Sequence, residues 1–293
     1  MKIAVTGSSG LIGSALVDAL QADGHSVRQL VRHAPRRPQE LSWTPGIVDP
    51  ASVDGTDAVV HLAGAGVGDH RWSASWQAEV LTSRVDGTTS IARSIAACQH
   101  PPRILLSASG VGWYGDTGDR EVDETAPAGD GFLADVVRRW EAATAPAVAA
   151  GVRVCALRSG IVLSAAGGAL GKVLPLFRFG VGGRLGSGQQ WMPWITLADE
   201  VAAIRFLLDA EVSGPVNLTT GAVTNADYTR ALSRALHRPA VLPVPGFALR
   251  LVLGGFADEG VLTGQRVRPA VLTRSGFLWS HPDLNTGLAA VLG

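Results

Sequence analysis

The chain has 293 residues, is 46% hydrophobic and only 17% charged, and carries 25 basic and 25 acidic side chains. That is enough apolar material for one large α/β domain, or a domain with a smaller companion. A net charge of zero argues against a general binder of nucleic acid or membrane surfaces, which needs a basic excess.

In chain order, residues 2–5 read as a strand and 11–22 as a helix with apolar positions at Leu11, Ile12, Ala15, Leu16 and Leu20, ended by Gly24. Strands are predicted over 26–31, 58–62, 103–108 and 152–157. Helices are predicted over 76–97 and 132–150. This alternation implies a parallel sheet with helices on both faces, a Rossmann-type doubly wound α/β fold. After Arg158 the texture changes. Residues 159–194 are rich in glycine and aromatics, 197–209 read as a helix and 216–218 as a further strand. From Thr224 the chain reads as helical with interruptions at Pro239, Pro243 and Pro245. The expected organisation is a dinucleotide-binding domain over 1–158, its sheet completed by parts of 195–222. A smaller lobe is expected from 159–194 and 223–293. Met1-Lys2 leads straight into Ile3, without the longer apolar run of a secretory leader, so the expected location is cytoplasmic. Cys98 and Cys155 have no metal-ligand spacing and are expected to be buried free thiols.

The first strand runs into Thr6-Gly7-Ser8-Ser9-Gly10-Leu11-Ile12-Gly13. Glycines here allow a tight turn and let a pyrophosphate reach the backbone, and the helix start offers free N–H groups. The end of the second strand decides between cofactors. An NAD site places an acid there, but no carboxylate occurs between Asp23 and Glu40, and Arg32, Arg36 and Arg37 do. Arginine pairs with a 2′-phosphate, so the cofactor expected is NADP(H), with Arg32 as its reader.

Thr6–Gly13, His61-Leu62-Ala63-Gly64, Ser107-Ala108-Ser109 and Trp113-Tyr114-Gly115 together resemble the short-chain dehydrogenase/reductase superfamily, in its extended or atypical branch. More narrowly, the chain resembles the small "epimerase family" of nucleotide-sugar epimerase-like, NADP-binding proteins. The resemblance covers nearly the whole length. Its most specific pieces are Trp76–Val80 with Ser83-Arg84, Leu157–Leu163, Trp194-Ile195 with Asp199, and Gly264–Val267. It implies cofactor contacts at Gly7, Ser9, Gly10, Leu11, Ile12 and Gly13, at Arg32, at Leu62, Ala63 and Gly64, and at Glu79, Arg84 and Arg158. By residue pattern alone Glu79 and Arg84 would read as solvated surface.

Classical members of the superfamily use Ser, Tyr and Lys, with Tyr and Lys four apart on one helix. Here that helix reads Phe132-Leu133-Ala134-Asp135-Val136-Val137-Arg138-Arg139-Trp140-Glu141. The only tyrosines are Tyr114 and Tyr228 and the only lysines Lys2 and Lys172, so the pair exists nowhere in the chain. Three readings stay open. Tyr114 with Ser107 or Ser109 could act as a substitute acid, Ser109 nearly matching the family serine. Hydride transfer could draw its proton from solvent or substrate. Or the chain binds NADP(H) without turnover. A true nucleotide-sugar 4-epimerase fits less well, because it needs a base and a retained NAD. The expected partner is a small molecule, sugar-like or with a carbonyl, and a homodimer is compatible with the resemblance. Trp191, Trp194, Trp113, Phe177 and Phe179 are candidates for an apolar pocket wall or for core. Arg178 and Arg184 are candidate phosphate contacts or surface residues.

Overall fold

Alternation of β-branched strands with amphipathic helices produces the doubly wound architecture expected. A computed structural model describes residues 1–293. The central sheet contains β1 (Lys2–Thr6), β2 (Ser26–Val31), β3 (Glu40–Ser42), β4 (Ala58–His61) and β5 (Ile104–Gly110). A two-residue strand, β6 (Glu121–Val122), follows outside that sheet, and β7 (Arg153–Ser159) returns to it. Next come β8 (Ile161–Leu163), β9 (Trp191–Thr196), β10 (Gly214–Leu218), β11 (Gly221–Thr224) and β12 (Arg266–Val267). The seven-stranded sheet has the order β10-β7-β5-β4-β1-β2-β3, with every pairing parallel. The order reverses between β1 and β4, so the loops leaving these two strands diverge and open a crevice at their carboxyl ends.

The helices are α1 (Leu11–Ala22), α2 (Ala74–Ala96), α3 (Phe132–Ala142), α4 (Ala145–Ala149), α5 (Gly168–Arg178), α6 (Leu197–Asp209), α7 (Asn225–Leu236), α8 (Gly246–Leu253), α9 (Ala270–Arg274) and α10 (Leu284–Leu292). Strand periodicity sorts the core into two layers. Ile3, Val5, Leu106 and Leu157 pack against Leu16 and Leu20 of α1 and Ile204 and Leu207 of α6. The intervening residues Ala4, Val59, Leu105 and Val154 face Ile91 and Ile95 of α2 and Ala147 of α4. A second, three-stranded sheet β11-β9-β8 packs with a separate core that joins Leu174 and Phe177 of α5, Leu232 of α7 and Leu288 of α10. No helix is long and apolar enough to cross a membrane.

The single helix expected over 132–150 is two helices. Pro146, in the first turn of α4, has no N–H to continue the α3 ladder. β3 escaped the sequence reading because three residues carry no readable period. Cys155 is buried, but Cys98 is only half-buried, which corrects the expectation for it.

Candidate functional site

The turn after β1 is built so that only glycine fits. Gly7 has φ +68°, and a Cβ there would lie 2.8 Å from the Leu62 carbonyl carbon. A Cβ on Gly13 would lie 2.1 Å from the Gly7 oxygen. Gly10 caps α1 without any side-chain hydrogen bond, leaving the first-turn N–H groups of the helix free for an anion. Beside this turn lies a groove of about 590 Å³, walled by Ser8–Gly10, Val31–His33, Trp43 and Leu62–Gly64. Leu11 points the other way, its side chain lying against Gly167 and Gly168 at the start of α5.

The opposite wall is clamped from below. Thr6 Oγ1 accepts the backbone N–H groups of Leu62 (3.1 Å) and Ala63 (3.2 Å). Its single proton is therefore the one given to His61 Nδ1, 2.7 Å away, which places the imidazole proton on Nε2. His61 is fully buried, and burial pushes it down to about 4, so the ring is neutral at physiological pH.

Arg32 is exposed on the groove wall. Glu40, the next acid in sequence, is turned away to accept the Arg36 N–H at 2.7 Å, so it does not repel an anion at Arg32. Arg84 is a buried cation against Gly64, paired with no carboxylate. It donates to the Ala65 oxygen (2.8 Å) and the Val80 oxygen (3.1 Å), lies over the Trp140 ring at 4.8 Å, and burial pulls it down to about 10. An uncompensated buried cation favours a polyanionic guest next to it. A glycine turn, an uncapped helix start, an exposed arginine and this buried one all fit a dinucleotide. Glu79 stays exposed on α2, outside the groove lining.

At the carboxyl ends of β5, β7 and β10, the residues Ser109, Arg158 and Asn217 stand side by side in register, hence on one face. Arg158 is 2% exposed and gives Nε and Nη2 to Glu141 of α3 at 2.8 and 2.9 Å. Its Nη1 donates to the Tyr114 hydroxyl at 3.1 Å, and its guanidinium stacks on Trp113 at 3.9 Å. Ser109 donates to the same Glu141 carboxylate at 2.6 Å. Tyr114 donates to Asn217 Oδ1 at 2.7 Å, and burial pushes its hydroxyl up to about 12.

Arg158, expected as a cofactor contact, is engaged in a buried ion pair with Glu141. Tyr114 and Ser109 join the same network through Arg158 and Glu141, and both hydroxyl protons are already held. Sequence reasoning missed Glu141 and Asn217. The signal for Glu141 was available, because an arginine in a strand as apolar as Val154–Leu157 needs a buried carboxylate to face it.

The aromatics divide. Trp194 and Phe177 are core, Trp113 floors Arg158, and Trp191 is half-buried under Arg266, 4.7 Å away. Arg178, Arg184 and Phe179 face solvent. Asp199 has a structural role, accepting from Thr196 Oγ1, the Ser280 and His281 N–H groups and the His281 ring, which ties the C-terminal segment to α6.

One further carboxyl lies under the sheet's carboxyl end. Glu200 is buried and accepts the Ser159 hydroxyl at 2.6 Å, while its other oxygen has no partner. Burial pushes it up to about 8 from an ordinary 4.5. The folded chain therefore holds a proton that the unfolded chain releases. The stability from this group is complete below about 4.5 and is lost as pH rises towards 8. Glu200→Gln should melt higher than the parent, with a gap that opens between pH 4.5 and 8 and reaches about 5 °C or more. A melting-temperature gap that is flat across pH 5–8 would refute the buried acid.

Comparison with known proteins agrees with this geometry. A family model for the NAD dependent epimerase/dehydratase family matches residues 3–219, and a second, described only as a domain of unknown function, matches 244–291. An epimerase family protein of Mycobacterium bovis is 47% identical over 290 residues, covering 98% of this chain and 96% of that protein. A crystal structure of the human epimerase family protein SDR39U1 with NADPH superposes with a TM-score of 0.89 at 33% identity, covering 99% of each chain. The nucleoside-diphosphate sugar epimerase of Corynebacterium glutamicum superposes at 0.82 with 36% identity, covering all of this chain and 58% of that one. The match over residues 3–219 and these near full-length relatives place the chain in the NAD dependent epimerase/dehydratase family.

Proposed function

We propose that this protein binds NADP(H) in the groove beside Gly7–Gly13 and acts on a small carbonyl or sugar-like molecule as an oxidoreductase or epimerase-like enzyme. The observation that carries the cofactor choice is Arg32, exposed on the groove wall with no acid beside it. Gly7, Ser9, Gly10, Leu11, Ile12 and Gly13 would form the pyrophosphate turn, and Leu62, Ala63 and Gly64 the facing wall. Arg32 would take the 2′-phosphate, with Arg84 behind Gly64 adding positive potential. NADPH seen in the human relative supports this reading. Glu79, exposed one helical turn before Ser83, is retained as a contact only if its side chain folds over the bound cofactor.

When bound, the nicotinamide would supply hydride chemistry. The chain's own residues would orient the substrate at the carboxyl end of β5 and exclude water from it. Ser109 and Tyr114 would contribute fixed dipoles there. With Tyr114 buried and its proton held by Asn217, the reaction's proton would come from solvent or from the substrate.

Calorimetric titration tests the cofactor claim. Arg32→Ala should weaken NADPH by about tenfold or more, the size of one charge-assisted pairing, and leave NADH nearly unchanged. Equal weakening of both cofactors would remove Arg32 from its role.

A second reading, NADP(H) binding without turnover, is favoured by one observation. The hydroxyls of Ser109 and Tyr114 are both spent inside the Arg158–Glu141 network. A panel of aldehydes, ketones and nucleotide-sugars, followed by loss of NADPH absorbance, separates the two readings. Turnover of any of them sustains the enzyme.

A further inference from the structure

The overall neutrality of the chain conceals a lopsided distribution. Residues 160–198 contain no Asp or Glu but carry Lys172, Arg178 and Arg184. Residues 228–257 also contain no Asp or Glu, and carry Arg230, Arg234, Arg238 and Arg250. Every one of the 25 carboxylates lies elsewhere.

These two segments run together in space. The Arg238 guanidinium donates to the Arg178 oxygen at 3.2 Å, Val244 N–H donates to the Arg184 oxygen at 2.9 Å, and Leu185 and Val244 form a bridge. They also hold eight of the thirteen large apolar side chains that are exposed. Phe179 is 84% exposed, Val241 74% and Leu251 76%, with Val181, Leu242 and Phe247 beside them in the chain. Helix α8 has no buried residue at all, and Phe247 and Leu251 project four apart on one face. Single exposed apolar residues are ordinary, but a contiguous set marks an interaction surface.

Two occupants can be compared by charge. Lys172, Arg230 and Arg250 are paired with Asp69, Asp227 and Asp258, but Arg178, Arg184, Arg234 and Arg238 have no acid partner, so a second copy docking through a two-fold axis would set these unpaired cations against their own copies. An anionic surface has the complementary charge, and apolar tips ringed by arginine suit the boundary between lipid headgroups and acyl chains. We propose that the face formed by residues 176–184, 238–244 and α8 docks this protein on anionic lipid bilayers.

Sedimentation with phospholipid vesicles tests this on the full chain. Binding is expected to vesicles in which about three lipids in ten are phosphatidylglycerol, and much less to pure phosphatidylcholine. It should weaken as salt rises from about 0.1 to about 0.5 M. Phe247→Ser with Leu251→Ser, and separately Arg178→Glu with Arg238→Glu, should each reduce binding by roughly tenfold or more. Val148→Ser, at an exposed side chain of α4 away from this face, should leave it unchanged, and circular dichroism checks that each variant is folded. The proposal is overturned by equal binding to both kinds of vesicle, or by full binding in both double variants. It is also overturned if gel filtration shows a dimer that Phe247→Ser with Leu251→Ser dissociates while no vesicle binds. Capture by an acidic, leucine-rich peptide without vesicle binding would assign the face to a protein partner and end the lipid proposal.

Discussion

Replacing Glu141 with Ala is expected to destabilise the fold by about 3–5 kcal/mol, measured by urea denaturation at neutral pH. Glu141 is the only carboxylate paired with Arg158, through two hydrogen bonds of 2.8 and 2.9 Å. Removing it leaves a guanidinium 2% exposed with only the Tyr114 hydroxyl and the Trp113 ring for company. Such a charge keeps its desolvation penalty and loses the attraction that offset it. The loss reaches further, because Ser109 gives its proton to the same carboxylate. Arg158→Met together with Glu141→Leu should recover much of the stability, since apolar replacement of both partners removes the uncompensated charge. A loss under about 1 kcal/mol for Glu141→Ala would mean that the network is not the fastening that its geometry describes.

Gly13→Ala is expected to abolish cofactor binding, with a weakening of about a hundredfold or more in calorimetric titration. The added carbon would sit 2.1 Å from the Gly7 oxygen, a backbone atom that cannot swing aside. Relief requires α1 to move away from the turn, and with it the free N–H groups that face the groove. Gly24→Ala is the control. Gly24, unlike Gly13, has a positive φ, +80°, but nothing lies within 4 Å of an added Cβ. Its substitution strains the backbone by about 1 kcal/mol and should leave cofactor binding intact. Equal binding by Gly13→Ala and the parent would dissociate the turn from the cofactor.

How legible this molecule is from its sequence varies with the range of the interactions. The Rossmann half could be read because its signals are local. Thr6–Gly13 is one turn, α1 has a clear apolar stripe, and the missing acid after β2 lies within a few residues of Arg32. Of the Arg158 network only the need for a buried carboxylate could be read. Its members come from β5, α3, β7 and β10, and only tertiary register sets Ser109, Arg158 and Asn217 in one row. Arg158 sat inside a familiar motif, and the motif gave no sign of its buried ion pair with Glu141. Trp194 was ambiguous for a related reason, since an aromatic beside glycines looks alike in a pocket wall and in a core. The neutral charge total was read correctly but described the wrong scale, because it averages two acid-free segments, 160–198 and 228–257, with an acidic remainder.

The short pairing of β6 with β12 bears on how the molecule is made. It joins Glu121 to Arg266, and nearby Gln265 donates to the Gly115 oxygen across 150 residues of chain. A ribosome adding about 5–20 residues per second needs roughly 7–30 s to bridge that interval. Every residue lining the groove of about 590 Å³ lies before Arg84. The nascent chain thus carries every residue that lines the groove while the loop bearing Tyr114 still waits for its distant strand.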